Sequence, residues 1–360
     1  MKDYSTEEKE KYILIAVSDG DYNKAMASLD ELERLLDTAG AEAVYRVVQT
    51  LPHPNAATYV GTGKAEELRT LIEAYDADAI ISDDELSPAQ LRNLSDITET
   101  KVIDRTMLIL DIFAAHAKTK EGKVQVEMAQ LAYRASHLTG MGKALSRLGG
   151  GIGTRGPGET KLETDRRTIQ KRMSRLRKEI SDMKKVRETN RKQRQNNQMP
   201  VVAIVGYTNA GKSTLLNRLT KADVLAEDKL FATLDPTTRR CILPNGQRIL
   251  FTDTVGFISK LPHQLVDAFR STLEEAKYAD ILLHVVDASD VDMDEHMKVV
   301  YETLSVLGIS GKPLITVFNK TDLVPPEERF ADNRATKCVR ISAKEKEHME
   351  DLYKALGEIL

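Results

Sequence analysis

The sequence predicts an α/β chain in two parts: an N-terminal parallel α/β subdomain carrying a helical hairpin, then a second α/β domain built on a phosphate-binding loop. Three observations predict it. Strand-like apolar runs alternate with helix-spaced segments through the first hundred residues, the pattern of a parallel sheet covered on both faces. From Arg105 the spacing turns wholly helical and, beyond a glycine-rich break, strongly basic. The apolar run Val201–Val205 then leads into Gly206-Tyr207-Thr208-Asn209-Ala210-Gly211-Lys212-Ser213-Thr214, which opens an amphipathic segment. The expected divisions are an α/β subdomain at 1–104, a helical subdomain at 105–194, a linker at 195–200 and the second domain at 201–360.

Composition narrows the class. At 360 residues, with 41% hydrophobic and 30% charged residues, the chain is long enough for more than one buried core. Its longest apolar runs, such as Val201–Val205 and Ile281–Val286, fall far short of a membrane span, and Met1-Lys2-Asp3-Tyr4 opens no signal-peptide core. A cytoplasmic location is expected. Cys241 and Cys338 stand far apart with no His or Cys at ligand spacing, which favours small buried hydrophobes over a disulfide or a metal site.

Taken in order, Tyr12–Val17 reads as a buried strand, and Asn23–Asp37 places Ala25, Leu29, Leu32, Leu35 and Leu36 on one helix face. The alternation continues with a strand at Ala43–Gln49, a helix at Lys64–Tyr75, a strand at Ala77–Ser82, a helix started by Ser87-Pro88, and a short strand at Lys101–Ile103. Gly61-Thr62-Gly63-Lys64 is too short to be a phosphate loop and reads as a turn with a helix start. Arg105–Leu138 is helical, with a break expected near Gly122.

The run Gly149–Gly158 holds six glycines, too many for a regular element, so a loop is expected over 149–160, either a linker or a contact for RNA or another large partner. Lys161–Arg194 follows as one basic helix, with fourteen Lys or Arg against five Asp or Glu. Its apolar residues Leu162, Ile169, Met173, Leu176, Ile180, Met183 and Val186 form a narrow seam suited to one partner helix. Dense positive charge without aromatic residues points to phosphate contact rather than base stacking, as with structured RNA.

In the second domain the motifs arrive in a fixed order. Glycines in the 206–213 loop let backbone amides turn onto phosphate oxygens, Lys212 is placed to reach the β- and γ-phosphates, and Ser213 to hold Mg²⁺. Phe231-Ala232-Thr233-Leu234-Asp235 offers Thr233 as a second Mg²⁺ ligand that senses the γ-phosphate. Asp253-Thr254-Val255-Gly256 ends a strand with a Walker-B carboxylate, and Gly256 is positioned to donate its N–H to the γ-phosphate. Asn319-Lys320-Thr321-Asp322 ends another strand, and its Asp accepts two hydrogen bonds from guanine that adenine cannot offer. Ser342-Ala343-Lys344 follows the last strand and supplies an amide to guanine O6. Each later motif is weak alone, but in this order at strand ends they specify a guanine-specific NTPase with catalytic candidates Lys212, Thr233 and Gly256.

These residues resemble the five guanine-nucleotide motifs of the TRAFAC GTPases over 201–360. The glycine-rich stretch before a basic helix, with Phe231–Asp235, Asp253–Ile258, Tyr59–Lys64 and Ile103–Thr106, resembles the HflX family of ribosome-associated GTPases across nearly the whole chain. That resemblance implies an N-terminal HflX domain, an α/β subdomain plus a helical hairpin, that binds the large (50S) ribosomal subunit and its rRNA, and GTP-dependent splitting or rescue of stalled ribosomes. The sequence ends soon after Ser342-Ala343-Lys344, so the additional C-terminal domain that some members carry is expected to be missing. A monomer is expected.

Phe257 follows Gly256 where Ras-like enzymes place the glutamine that orients water, so slow intrinsic hydrolysis, stimulated by the ribosome, is expected. His263, a lone surface His, is an unconvincing base. Two other readings stay open: a GTPase acting on another structured RNA or an RNA-modification partner, and a non-enzymatic scaffold using GTP as a switch.

Overall fold

The computed structural model describes residues 9–145, 157–195, 199–220, 230–231, 237–261 and 275–360. The expectations placed on Ala232, Thr233, Leu234, Asp235 and His263, and on residues 146–156 of the glycine-rich stretch, lie outside these residues. The chain forms two compact units, Met1–Ala115 with Val126–Arg177 and His116–Gln125 with Lys178–Leu360.

The first unit holds β1 (Lys11–Ser18), α1 (Tyr22–Thr38), β2 (Glu42–Thr50), α2 (Thr62–Tyr75), β3 (Ala79–Ser82), α3 (Pro88–Thr98), β4 (Lys101–Asp104) and α4 (Arg105–His116). The strands make one parallel sheet in the order β2-β1-β3-β4. Central β1 is a continuous apolar run because it is covered on both faces, and α1 buries Ala25, Leu29, Leu32, Leu35 and Leu36. Helix starts follow local chemistry. Asp21 accepts the Lys24 amide at 3.0 Å, and Ser87 and Gln90 form a reciprocal capping box ahead of Pro88. Gly61 caps α2, its N–H donating to Gln49 Oε1 at 2.8 Å, so Gly61–Lys64 is the expected turn and helix start. Arg105 is buried and paired with Asp83 Oδ1 at 2.9 Å and with Glu31.

Helix α5 runs Lys120–Leu145 and α6 Pro157–Gln195. The break before α5 falls at residues 117–119, not at Gly122, because the Thr119 hydroxyl accepts the Gly122 amide at 3.0 Å and starts the helix there. Helix α6 begins four residues earlier than the expected Lys161, taking in Pro157 at its first position, where the missing N–H costs nothing. Residues 157–160 are therefore helix rather than loop. The apolar seam is shorter than its sequence pattern: Leu176 is buried and Ile169, Met173, Ile180 and Met183 are partly covered, but Val186 is 60% exposed. Within the first unit Arg172 grips both oxygens of Glu127, at 2.6 and 2.8 Å. Within the second, Arg187 pairs with Glu121 at 3.1 Å and Lys120 with Glu179 at 2.9 Å.

The rest of the second unit is a doubly wound α/β domain: β5 (Val201–Gly206), α7 (Lys212–Thr220), β6 (Thr238–Ile242), β7 (Arg248–Asp253), β8 (Ile281–Asp287), α8 (Met293–Val306), β9 (Leu314–Asn319), β10 (Lys337–Arg340) and α9 (Met349–Ile359). The sheet order is β10-β9-β8-β5-β7-β6, parallel except for edge strand β6, which is antiparallel to β7. Its core joins Val202, Ile204, Leu215, Leu283 and Val317 to Leu352 and Leu356 of α9. Among the described residues no helix is long and apolar enough to cross a membrane.

Candidate nucleotide site

The 206–213 loop turns where only glycine fits. A side chain at Gly206 would overlap the Val285 carbonyl oxygen, and Gly211, at φ +93, presses against the Asn319 amide. The loop ends on Lys212, the first residue of α7, so a helix N-terminus with its positive dipole end opens there. Lys212 is buried, and its ammonium donates to the Tyr207 carbonyl at 2.7 Å, folding back into the loop. Ser213 Oγ donates to Asp253 Oδ2 at 3.0 Å, while Asp253 Oδ1 accepts the Thr254 amide at 3.0 Å. Burial drives the Asp253 carboxyl up to about 6, against the pull of Lys212, Ser213 and the Thr254 amide. Burial likewise drives Lys212 down to about 8, with Asp253 opposing. Each charge favours the other, but the mutual attraction does not fully offset what desolvation costs them.

The segment after β7 lies directly on the loop. A Cβ at Gly256 would stand 2.8 Å from Thr208 Cα and 3.1 Å from Lys212 Nζ, so glycine is required by close approach. Thr208 N donates to Phe257 O at 2.7 Å and Phe257 N to Gly206 O at 3.1 Å. Thr208 Oγ1 also accepts the Phe231 amide at 3.0 Å. Thr254 Oγ1 donates to Ile204 O at 2.7 Å, and Val255 is buried beside it. Phe257 is 1% exposed, its ring taken up by packing.

At the far side, Asn319 joins two loops: its Nδ2 donates to Ala210 O at 2.9 Å and its Oδ1 accepts the Ala343 amide at 3.0 Å. Lys320 takes a left-handed conformation, and its ammonium pairs with Asp287 at 2.6 Å. Thr321 N donates to Ile341 O at 3.2 Å, and Asp322 follows, exposed, in a short 3-10 turn. Ser342 is buried, and its hydroxyl accepts the Glu345 amide at 3.1 Å. Arg218, from the last turn of α7, donates to the Ala343 carbonyl at 2.9 Å and to that of Lys344 at 3.0 Å.

The described motif residues, 206–214, Phe231, 253–256, 319–322 and 342–344, thus gather at the carboxyl edge of one sheet, around the ends of β5, β7, β9 and β10. Sequence reasoning missed Arg218 and Asp287, which hold the loops rather than belong to them. Asp287 had a faint signal, a carboxylate ending an apolar strand, and Arg218 had none.

Family models match in three consecutive blocks: "GTP-binding GTPase N-terminal" over residues 26–114, "GTP-binding GTPase Middle Region" over 116–194, and "50S ribosome-binding GTPase" over 201–320. The chain is 60% identical to the GTPase HflX of Lacrimispora saccharolytica over 98% of its own length and 83% of that protein. It is 44% identical to the GTPase HflX of Escherichia coli, over 94% and 80%. Among solved structures, the GDP complex of SsGBP aligns over 97% of this chain and 98% of that one at 26% identity, with a TM-score of 0.52.

Proposed function

Because the chain belongs to the HflX family of GTPases and is a GTP hydrolase, we propose that GTP bound at the carboxyl edge of the second sheet controls its attachment to the large ribosomal subunit, and that attachment in the GTP state splits or rescues stalled ribosomes. The observation that carries this reading is the convergence of the described motif residues on one sheet edge, in a domain matched by a family model described as a 50S ribosome-binding GTPase.

In this reading the 206–213 amides and Lys212 take the phosphates, breaking the Lys212 bond to the Tyr207 carbonyl. The exposed Asp322 carboxylate takes guanine N1–H and the exocyclic amine, with the Ala343 segment held by Asn319 and Arg218 at the base's other edge. The donor set suits a hard divalent cation: the Ser213 hydroxyl already lies on a carboxylate that burial leaves short of positive charge. Ser213 and Thr233 would hold Mg²⁺, which neutralises phosphate charge when bound. Gly256 donates its amide to the γ-phosphate. The Phe257 ring can neither orient nor accept from water, so ordering of the switch segments by the partner supplies the missing water position.

On α6, Arg166, Lys171, Arg175, Arg177 and Lys178 are exposed and carry no ion pair among the described residues, which leaves them available for rRNA phosphates. Arg172 is a poorer choice, since it is already committed to Glu127. The test is co-sedimentation with purified 50S subunits in a non-hydrolysable GTP analogue against GDP, with light scattering of 70S ribosomes in parallel. Retention with the analogue, release with GDP and a fall in scattering are expected. Binding indifferent to the nucleotide, or preference for a different structured RNA, would refute the reading.

A further inference from the structure

Tyr207 occupies one of the variable positions of the phosphate loop, where its backbone alone would serve the nucleotide, yet its side chain is itself held by several partners. Its hydroxyl accepts the Ser259 amide at 2.8 Å and shares a hydrogen bond with Ser259 Oγ at 2.7 Å. Its ring stacks on His296 of α8, centroids 3.8 Å apart and planes 15° from parallel, and His296 Nδ1 lies 3.1 Å from Asp290 Oδ2. Its carbonyl is the acceptor for Lys212. On either side, Gly206 and Thr208 exchange backbone hydrogen bonds with Phe257. Residues 206–208 and 257–259 are therefore zipped together, two bonds from the backbone and two from one phenol.

We propose that Tyr207 is a positioning residue for hydrolysis: clamped by His296, its hydroxyl holds Ser259 so that the Gly256 amide is presented at the γ-phosphate position. The proposal rests on the reading of 206–213 as the phosphate site and deepens it. The geometry explains the need for a side-chain latch. Gly256 must approach Lys212 closely, and glycine gives the chain no side chain of its own to fix that approach. A phenol anchored by stacking loses little freedom when it bonds, so the constraint on Ser259 comes at small entropic cost. Because the latch governs a contact that GDP lacks, it discriminates between the two nucleotides rather than strengthening both. With Phe257 buried, positioning of the 256–259 backbone is the means this segment has to organise the γ-phosphate end.

The experiment compares full-length wild type, Tyr207→Phe, Ser259→Ala and the double variant, using fluorescent GDP, a fluorescent non-hydrolysable GTP analogue and single-turnover hydrolysis. Tyr207→Phe keeps the ring on His296 and removes only the hydroxyl. It is expected to bind GDP within about twofold of wild type and to lose roughly tenfold in GTP-analogue affinity, in hydrolysis rate, or in both, the scale of one to two net hydrogen bonds. Ser259→Ala loses part of that, and the double variant is no worse than Tyr207→Phe, because both changes break the same latch. Three results would overturn the proposal: a Tyr207→Phe protein with wild-type rate and GTP-to-GDP ratio; equal losses for both nucleotides together with a lower unfolding temperature; or additive effects in the double variant. A wild-type chain that bound no GTP would instead remove the underlying reading and the latch with it.

Discussion

Replacing Asp253 with Asn should make the nucleotide-free protein more stable while destroying its use of Mg²⁺ and GTP. The carboxylate is fully buried at the end of β7, and burial holds it up at about 6 from an ordinary 3.8 despite Lys212, Ser213 and the Thr254 amide. At about 1.4 kcal/mol per pH unit, the folded state carries about 3 kcal/mol of unfavourable free energy at neutral pH for keeping this group ionised. The sign follows from the direction: a raised folded value means that the contribution to stability is fully present below 3.8 and is lost as pH rises through about 6. Asn has the shape of the neutral acid and can still accept from Ser213, so it should recover much of that amount, raising the unfolding transition of the second domain by roughly 5–10 °C at pH 7.5. Calorimetry of the full chain without nucleotide or Mg²⁺ reads this. The advantage should shrink as pH is lowered toward 4, where wild type is protonated too. An Asp253→Asn protein with an unchanged or lower transition at pH 7.5, and native circular dichroism, would refute the reasoning.

Three further outcomes are expected. Phe257→Gln should not raise intrinsic hydrolysis, because the position packs in the core; about 2–4 kcal/mol of stability should be lost instead, and denaturant melts with single-turnover rates will read both. His284, 1% exposed on β8 beside Tyr301, is pushed down to about 4 by burial, so its share of stability is present above 6.5 and lost as pH falls from 6.5 to about 4, amounting to about 3 kcal/mol. Asp253 titrates in the opposite sense over an overlapping range, so wild type should show a shallow acid slope and Asp253→Asn a steep one in urea midpoints between pH 7 and 4.5. Neutralising Arg166, Lys171 and Arg175 together should weaken binding to 50S subunits and lower its salt slope by about one for each side chain that touches phosphate, with GTP affinity unchanged.

What the sequence disclosed and what it withheld divide along the range of the interactions involved. Strand–helix alternation up to β4, the glycine turns at 206 and 211 and the capping at Ser87 all rest on residues within a few positions of one another, where period and turn chemistry act directly. The break before α5 was misplaced by the same local logic: Gly122 is the obvious interruption, but the Thr119 hydroxyl, which caps the helix, is what decides where it begins. The extent of α6 shows the converse, since a prolyl residue among glycines reads as loop until the first helical position is seen to tolerate it. The contacts that shape the candidate site span much longer separations. Arg218 reaches carbonyls more than a hundred residues away, Asn319 reaches back to Ala210, and Tyr207 reaches Ser259 on the far side of β6 and β7. No period or motif marks such a contact, because the partner is chosen by sheet order, and sheet order places β5 between β7 and β8. The motif residues were legible because their chemistry is local to each loop. The residues that hold those loops against one another become visible only when the parallel sheet brings the strand ends together.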